Sequence, residues 1–163
     1  MSKTFAINGF GRIGRTAFRI WWQQHQNELD LVVINTSGSM PLEGWLHLLK
    51  YDTNYKHFDP GITFEAHQSN KEVTDEDPLL GVIRIKDKII KVTAQRDPAK
   101  LPWQDYGVEL VLEATGVFRK EEGASKHLQA GAQKVMISAP AKSDGFSTSV
   151  LGVNELDIES KLS

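Results

Sequence analysis

The sequence predicts an α/β domain with a mostly parallel β-sheet, because short runs of β-branched residues alternate with segments of helical periodicity. Residues 4–8 and 31–34 are strand-like, and the second run is apolar throughout, as in a parallel strand covered on both faces. Between them, apolar side chains recur four apart over residues 12–26, which predicts an amphipathic helix. With 163 residues, the chain has the size of one domain.

The second half of the chain continues this alternation. Helical spacing returns at residues 41–49, and another helix is predicted between Glu121 and Gly131, where acidic residues open it and glycine ends it. Strands are predicted at residues 108–112, 134–137 and 149–153. Right-handed crossovers between these strands would place helices on both faces of a doubly wound sheet.

One segment departs from the parallel pattern. Residues 82–85 and 89–92 are apolar runs on either side of a polar turn, which predicts an antiparallel hairpin as a short excursion around residues 80–93. The acid-rich stretch from Phe64 to Pro78 is interpreted as a surface loop.

Composition excludes several classes of protein. Nineteen Lys and Arg residues against 21 Asp and Glu give a net charge of -2, which argues against a nucleic-acid partner and against a disordered acidic chain. No apolar run approaches the ~20 residues of a membrane helix, and no signal peptide is recognisable. We therefore expect a cytoplasmic protein without a membrane partner. The absence of cysteine excludes disulfides, thiolate metal sites and a cysteine nucleophile within these residues.

The motif with the clearest chemistry follows the first predicted strand. Gly9, Gly11 and Gly14 form a G-x-G-x-x-G pattern at the opening of a helix. Gly9 would allow a tight turn, Gly11 would let the backbone approach a pyrophosphate at the helix N-terminus, and Gly14 would let helix and strand pack closely. In this context the motif predicts a Rossmann-type dinucleotide-binding domain. The alternative is a tight turn alone, which would not require all three glycines.

The end of the second predicted strand bears on the choice between NAD and NADP. NAD-binding domains of this type place Asp or Glu there, about 20 residues after the motif, to bind the ribose 2′-hydroxyl. Here residues 35–39 read NTSGS and contain no carboxylate. Hydroxyls and backbone N–H groups in such a turn could bind a 2′-phosphate, so we predict that NADP is accepted. The alternative is that Thr36 and the serines cap the next helix.

Residues 7–15, INGFGRIGR, resemble the opening of glyceraldehyde-3-phosphate dehydrogenases. Six further blocks match that family in order along nearly the whole chain, at residues 47–53, 96–98, 101–103, 113–118, 137–142 and 152–154. The chain is therefore identified as similar to the N-terminal NAD(P)-binding domain of that family, with the domain covering residues 1–163.

The resemblance also implies a set of cofactor contacts. Arg12 would contact the pyrophosphate through its backbone, Ile13 would lie beside the nicotinamide, and Arg96 would lie near the adenine. Thr36 stands where many relatives carry an Asp that faces the adenosine ribose. Thr115, Gly116 and Phe118 are implied to border the adenine and ribose. Ser138 is implied to lie at the nicotinamide end. The predicted cofactor-binding set is completed by Asn8, Gly9, Gly11, Gly14 and Asn35.

The reaction of that family needs more than a cofactor. A cysteine attacks the aldehyde, hydride passes to the nicotinamide, and phosphate releases the acyl group from the thioester. In the family this cysteine follows the Gly-Val-Asn block shortly, whereas this sequence stops at Ser163. No catalytic residue is therefore assigned. We expect a truncated domain, not catalytic alone, of an enzyme of glycolysis, gluconeogenesis or carbon fixation that is a homotetramer at full length.

Two other hypotheses stay open at this stage. The chain could be a stand-alone NAD(P)-binding module, or part of the related erythrose-4-phosphate dehydrogenase, since the substrate is selected outside this domain. The remaining polar groups are interpreted as structural. The five histidines show no metal-ligand spacing, residues 75–77 form a solvated acidic loop, Trp21 and Trp22 belong to the core, and Asp52 and Asp97 form turns or caps. No metal site is predicted.

Overall fold

The computed structural model describes residues 2–150 and 153–154. Its helices are α1 (Arg12–Ile20), α2 (Leu42–Lys50) and α3 (Glu121–Gln129), with a π-helical turn at Trp21–His25 and a 3-10 turn at Pro98–Lys100. Its strands are β1 (Lys3–Asn8), β2 (Leu29–Asn35), β3 (Tyr51–Asp52), β4 (Lys56–His57), β5 (Ile62–Ala66), β6 (Leu79–Ile85), β7 (Lys88–Thr93), β8 (Leu110–Glu113) and β9 (Lys134–Ile137).

A seven-stranded sheet in the order β5-β6-β7-β2-β1-β8-β9 organises these elements. The pairs β7–β2, β2–β1, β1–β8 and β8–β9 are parallel. The pairs β5–β6 and β6–β7 are antiparallel. The predicted α/β class, with a mostly parallel sheet and an antiparallel excursion, is therefore confirmed. In the described part of the chain, no helix combines the length and apolar character that crossing a bilayer requires.

Two predictions about elements need correction. The first residues of the predicted loop at 64–78 are strand, since Phe64 pairs with Ile83 in the ladder between β5 and β6. Of the strand predicted at residues 149–153, positions 149 and 150 have no strand structure and position 153 lies in a turn, while 151–152 fall outside the described residues. The helix predicted over residues 12–26 is confirmed, with its last turn π-helical.

The strand β5 escaped prediction because the predicted loop begins at Phe64, within the strand. Only Ile62 is buried, and the four residues that follow are exposed. The sequence of the strand, ITFEA, does alternate apolar and polar residues, but the segment is short and runs directly into the acid-rich stretch. Its backbone bonds to β6 hold it at the edge of the sheet. The rest of the predicted loop, residues 67–78, consists of turns and bends.

Apolar side chains cover the sheet on both faces. Phe5 and Ile7 of β1 point into the larger core, which α1 and α2 complete, whereas Ala6 between them points into a smaller core around Trp103. This alternation is the period of a β-strand. Phe18 of α1 is fully buried at the centre of the larger core. Its ring meets Phe10, Trp21 and Phe58 edge-on at centroid distances of 6.0, 5.5 and 6.3 Å.

We expect Phe18→Ala to lower the free energy of unfolding by about 3–5 kcal/mol, because it removes a buried ring whose neighbours cannot all close the cavity. Phe64→Ala is the matched control, since the Phe64 side chain is 43% exposed on β5 and should cost well under half as much. Urea denaturation of the two variants measures both values. Equal losses would contradict this description of the core.

Candidate dinucleotide-binding site

The carboxyl ends of the parallel strands form one line across the sheet, and we call this line the edge, in distinction from the edge strand β5. Asn8 ends β1 and lies in register with Asn35 of β2 and Glu113 of β8, while Asn35 lies in register with Thr93 of β7. Ligands of doubly wound folds bind outside the carboxyl ends of the strands. The predicted cofactor residues all lie at this edge, in β1 and β2 or in the segments that follow β1, β2, β7, β8 and β9.

Each glycine of the motif has a different structural reason. Gly9 has φ +98°, and a Cβ there would lie 2.7 Å from the backbone nitrogen of Thr115. A Cβ on Gly14 would lie 2.1 Å from the carbonyl oxygen of Gly9, so α1 can cross this turn only with glycine at that position. A Cβ on Gly11 would meet no heavy atom within 4 Å. The first and third glycines are therefore required by the fold itself, and the second is not.

The amino end of α1 is open towards this edge. Gly11 is the N-cap, has an extended backbone and supplies no side-chain hydrogen bond to the first turn, which contains no acidic residue. The first amides of the helix thus have no side-chain acceptor, and such a terminus attracts anions. Arg12 is exposed, and the Ile13 side chain, 54% exposed, adds an apolar surface beside it.

Arg15 lies on the next turn and is more enclosed. Its guanidinium donates to the carbonyl oxygen of Phe10 at 3.0 Å, while its Nε is buried without a hydrogen-bond partner. Burial lowers the pKa of Arg15, and the nearby Asp52 carboxylate opposes that shift. The side chain stays charged at neutral pH, so it adds positive potential behind the glycine turn.

The turn after β2 presents two of its three hydroxyls to solvent. Thr36 is buried; its hydroxyl donates to the Thr93 carbonyl at 3.1 Å and accepts from the Gly38 amide at 3.3 Å. Ser37 and Ser39 are exposed, and their hydroxyls bond to each other at 3.0 Å. A contact from Thr36 to a ribose would therefore have to use atoms other than its hydroxyl.

The proposed alternative role of this turn is wrong. The helix α2 begins at Leu42 with Pro41 as its N-cap, and no side chain caps it. Neither Thr36 nor the two serines therefore caps α2. Helix capping does not explain why this segment is rich in hydroxyl groups.

The segment after β8, residues 114–118, forms a loop against the glycine turn, and we call it the Thr115 loop. Thr115 and Gly116 are exposed, and Gly116 has φ +74°. The amide of Thr115 donates to Glu113 Oε1 at 2.7 Å, and its hydroxyl accepts from the Val117 amide at 3.1 Å. The loop thus has a fixed shape whose outer side is free for contact.

Ser138 and Arg96 follow the next strands outward. The amide and the hydroxyl of Ser138 both donate to the Glu113 carbonyl, at 3.0 and 3.1 Å. Arg96 is exposed just after Gln95, whose amide donates to the Asn35 side chain at 2.9 Å. Every residue of the predicted set is therefore attached to the same edge of the sheet.

Asn8 and Asn35 were predicted as cofactor contacts, and the structure places both side chains beneath the turns, 1% and 4% exposed. Asn35 Nδ2 donates to Asn8 Oδ1 at 2.7 Å and to the Gln95 carbonyl at 2.8 Å. Asn35 Oδ1 accepts from the Thr93 hydroxyl at 2.9 Å. These two amides join the ends of three strands from below.

The polar chain continues through residues that sequence reasoning missed. Asn8 Nδ2 donates to the carboxylate of Glu113, which also contacts His127, and His127 contacts Trp103. Glu113 and His127 are 1% and 0% exposed. A polar residue that ends an apolar strand was the available signal for Glu113. His127 carried no such signal, because nothing in one helix shows which of its faces is buried.

The structural roles assigned to two aspartates are confirmed. Asp52 accepts from the amides of Tyr55 and Asn54, which lower its pKa. Asp97 caps the 3-10 turn by accepting from the Ala99 amide at 3.3 Å, and this bond is the main reason that its pKa is lowered. Among the residues described, no three His, Cys, Asp or Glu side chains are arranged to hold a metal ion.

Comparison with known proteins identifies the class of site. The family model described as "Glyceraldehyde 3-phosphate dehydrogenase, NAD binding domain" matches residues 3–121. The chain is 44% identical over 154 residues to chloroplastic glyceraldehyde-3-phosphate dehydrogenase A of Chlamydomonas reinhardtii, covering 93% of this chain and 37% of that protein. It is 43% identical over 152 residues to the chloroplastic B protein of Pisum sativum, covering 93% and 30%. The chain thus spans about a third of the length of these relatives.

The second and third glycines of the motif give a matched test of this geometry. Gly14→Ala should destabilise the fold by about 2 kcal/mol or more, because its Cβ would overlap the Gly9 carbonyl and force α1 away from β1. Gly11→Ala should leave the unfolding free energy within about 0.5 kcal/mol of the parent chain, since its Cβ enters open space. Thermal and urea unfolding measure both variants. An equally destabilised Gly11→Ala would refute the assignment.

Proposed function

Because the chain belongs to the glyceraldehyde 3-phosphate dehydrogenase family through its NAD binding domain, we propose that it binds NAD or NADP at the carboxyl ends of β1, β2, β7, β8 and β9. The observation that carries this proposal is the glycine turn. Gly9 and Gly14 are needed because a Cβ at either position would overlap backbone atoms, whereas Gly11 leaves empty space beside the uncapped start of α1. The fold does not require glycine at position 11, and the absence of a side chain there would let a pyrophosphate approach the backbone closely.

The remaining residues of the predicted set would hold the rest of the cofactor. Arg12 would face the pyrophosphate, while Arg96 and the Thr115 loop would border the adenine and its ribose. Ile13 and Ser138 would lie at the nicotinamide end. The exposed outer sides of these residues and the fixed shape of the Thr115 loop support this arrangement. The bound nicotinamide would supply hydride transfer, and the protein would supply orientation.

We propose that NADP is accepted as well as NAD. The turn at residues 36–39 carries no carboxylate to repel a 2′-phosphate. Its exposed hydroxyls on Ser37 and Ser39 have only each other as partners among the bonds of this turn, and both can donate to phosphate oxygens. The buried Thr36 would act as a support for this turn, because its hydroxyl is engaged within the fold.

The activity of the whole protein is a wider proposal. Family membership supports a phosphorylating glyceraldehyde-3-phosphate dehydrogenase of glycolysis, gluconeogenesis or carbon fixation, working as a homotetramer. The 163 residues contain no cysteine, so we expect them to bind cofactor without turnover. Cytoplasmic location and the absence of nucleic-acid and membrane partners stay predictions, and the relatives compared are chloroplastic proteins. A separate binding module and the erythrose-4-phosphate enzyme stay as alternatives, because both would share this domain.

Direct titration tests the binding proposal. Addition of the 163-residue chain to NADH should enhance and blue-shift nicotinamide fluorescence in a saturable way. Gly11→Ala should raise the Kd at least about tenfold, which corresponds to about 1.4 kcal/mol, because its methyl group would occupy the approach of the pyrophosphate. Phe64→Ala, on the exposed edge strand, is the control and should bind as the parent does. Absence of saturation with the parent chain, or unchanged binding by Gly11→Ala, would overturn the proposal.

The 2′-phosphate proposal has its own test. Ser37→Asp places a carboxylate on the exposed turn, so its Kd for NADPH should rise about tenfold or more through charge repulsion, while its Kd for NADH should change little. Thr36→Val removes a hydroxyl that is turned inward and should change both affinities by the same factor. Calorimetric titration of each variant with both cofactors gives the ratio. Parent binding of NAD tenfold tighter than NADP would refute the hypothesis.

A further inference from the structure

We propose that His127 is a positioning residue for the cofactor, acting through Glu113 and Phe118 on the Thr115 loop. His127 lies on α3, is fully buried and would not touch the cofactor itself. This inference rests on the proposed function, since the Thr115 loop is the part of the site assigned to the adenosine half. It adds a residue outside the predicted contacts, whose only effect on binding is the shape of that loop.

The hydrogen bonds of His127 fix both its tautomer and its orientation. Its Nδ1 lies 3.0 Å from the indole Nε1 of Trp103, and an indole nitrogen can only donate. Nδ1 therefore accepts, so the ring proton is on Nε2, which lies 3.0 Å from Glu113 Oε2 and donates to it. The planes of the Trp103 ring and the imidazole differ by only 28°, with centroids 6.0 Å apart, so the two rings meet nearly edge to edge across this bond. The imidazole has one arrangement in which all of these contacts are made.

Glu113 converts that orientation into the shape of the loop. Its Oε2 accepts from His127 and from Asn8 Nδ2, while its Oε1 accepts from the amide and the hydroxyl of Thr115. The carboxylate is 1% exposed, so water cannot replace a lost donor without cost. Since the two oxygens belong to one rigid group, the donors on Oε2 determine where Oε1 meets Thr115.

The other end of the loop rests on the same ring. Phe118 meets the His127 imidazole edge-on, at a centroid distance of 6.2 Å and an interplanar angle of 90°. Between these two supports, Thr115, Gly116 and Val117 are exposed, and Val117 reaches 73% exposure. The loop is thus held from beneath at one end by Glu113, which His127 contacts, and at the other end by His127 itself, and it is bare on its outer side. A cofactor that binds there meets a surface whose shape depends on α3.

Substitution by glutamine and leucine separates positioning from simple packing. The side chain of His127→Gln can accept from Trp103 with its amide oxygen and donate to Glu113 with its amide nitrogen, whereas His127→Leu fills similar space without either bond. We expect His127→Leu to raise the Kd for NADH at least tenfold and to speed hydrogen exchange at the amides of residues 115–118. His127→Gln should restore the Kd to within about threefold of the parent. Trp103→Phe keeps the imidazole but frees its tautomer, and should give an intermediate Kd.

A control variant accounts for loss of stability. Ile83→Ala removes a buried side chain of β6 in the larger core and should lower the unfolding temperature as much as His127→Leu, yet leave the Kd unchanged. All variants are titrated at a temperature where circular dichroism shows them folded; if His127→Leu does not fold, the comparison of Trp103→Phe with Ile83→Ala decides. Unchanged affinity in the His127 and Trp103 variants, or equal weakening in Ile83→Ala, would overturn the inference. Failure of the parent chain to bind would instead overturn the proposed function.

Discussion

The side chains of Asn8 and Asn35 meet where β1 and β2 stop, and the site is built outward from that pair. Each side-chain amide forms hydrogen bonds with both its oxygen and its nitrogen. Besides the bond between them, Asn35 bonds to Thr93 of β7 and Asn8 bonds to Glu113 of β8. Strand ends in the middle of a sheet leave backbone groups without ladder partners, and buried polar groups must be satisfied. The Asn35 side chain also bonds the backbone carbonyl and amide of Gln95 just after β7, while the Asn8 amide bonds only the side chains of Asn35 and Glu113. These bonds lie below the turns, which leaves the outer side of each turn open.

This arrangement separates two demands that a ligand-binding edge must meet at once. The turns have to be rigid, yet their polar groups have to be available to a ligand. The buried layer of Asn8, Asn35, Glu113 and His127 supplies the rigidity. The backbone of the glycine turn, the Thr115 loop and the serines after β2 supply the available groups. With a dinucleotide proposed at this edge, the two layers would explain why its side chains divide into buried supports and exposed groups.

The sequence was informative wherever a local pattern decides the structure. Periodicity located α1 and β2, and the spacing of the three glycines indicated the turn, because such features depend on near neighbours. The inward hydroxyl of Thr36 was not predictable, since its partner Thr93 is 57 positions away along the chain. His127 was missed for the same reason, as Glu113 and Trp103 reach it from other elements. The edge strand β5 has the alternation of a strand in its five residues, but this short signal was outweighed by the acid-rich stretch that follows it.

The polar chain beneath the turns joins residues from opposite ends of the described fold, since Asn8 and His127 are connected through Glu113. It can close only after β1, β2, β8 and α3 have all come together, and contacts so distant in sequence are expected to be slow to form during folding. A ligand that binds only the closed arrangement stabilises it by mass action. Affinity for a dinucleotide would therefore develop late in folding, and the bound cofactor would select fully assembled molecules over partly folded ones.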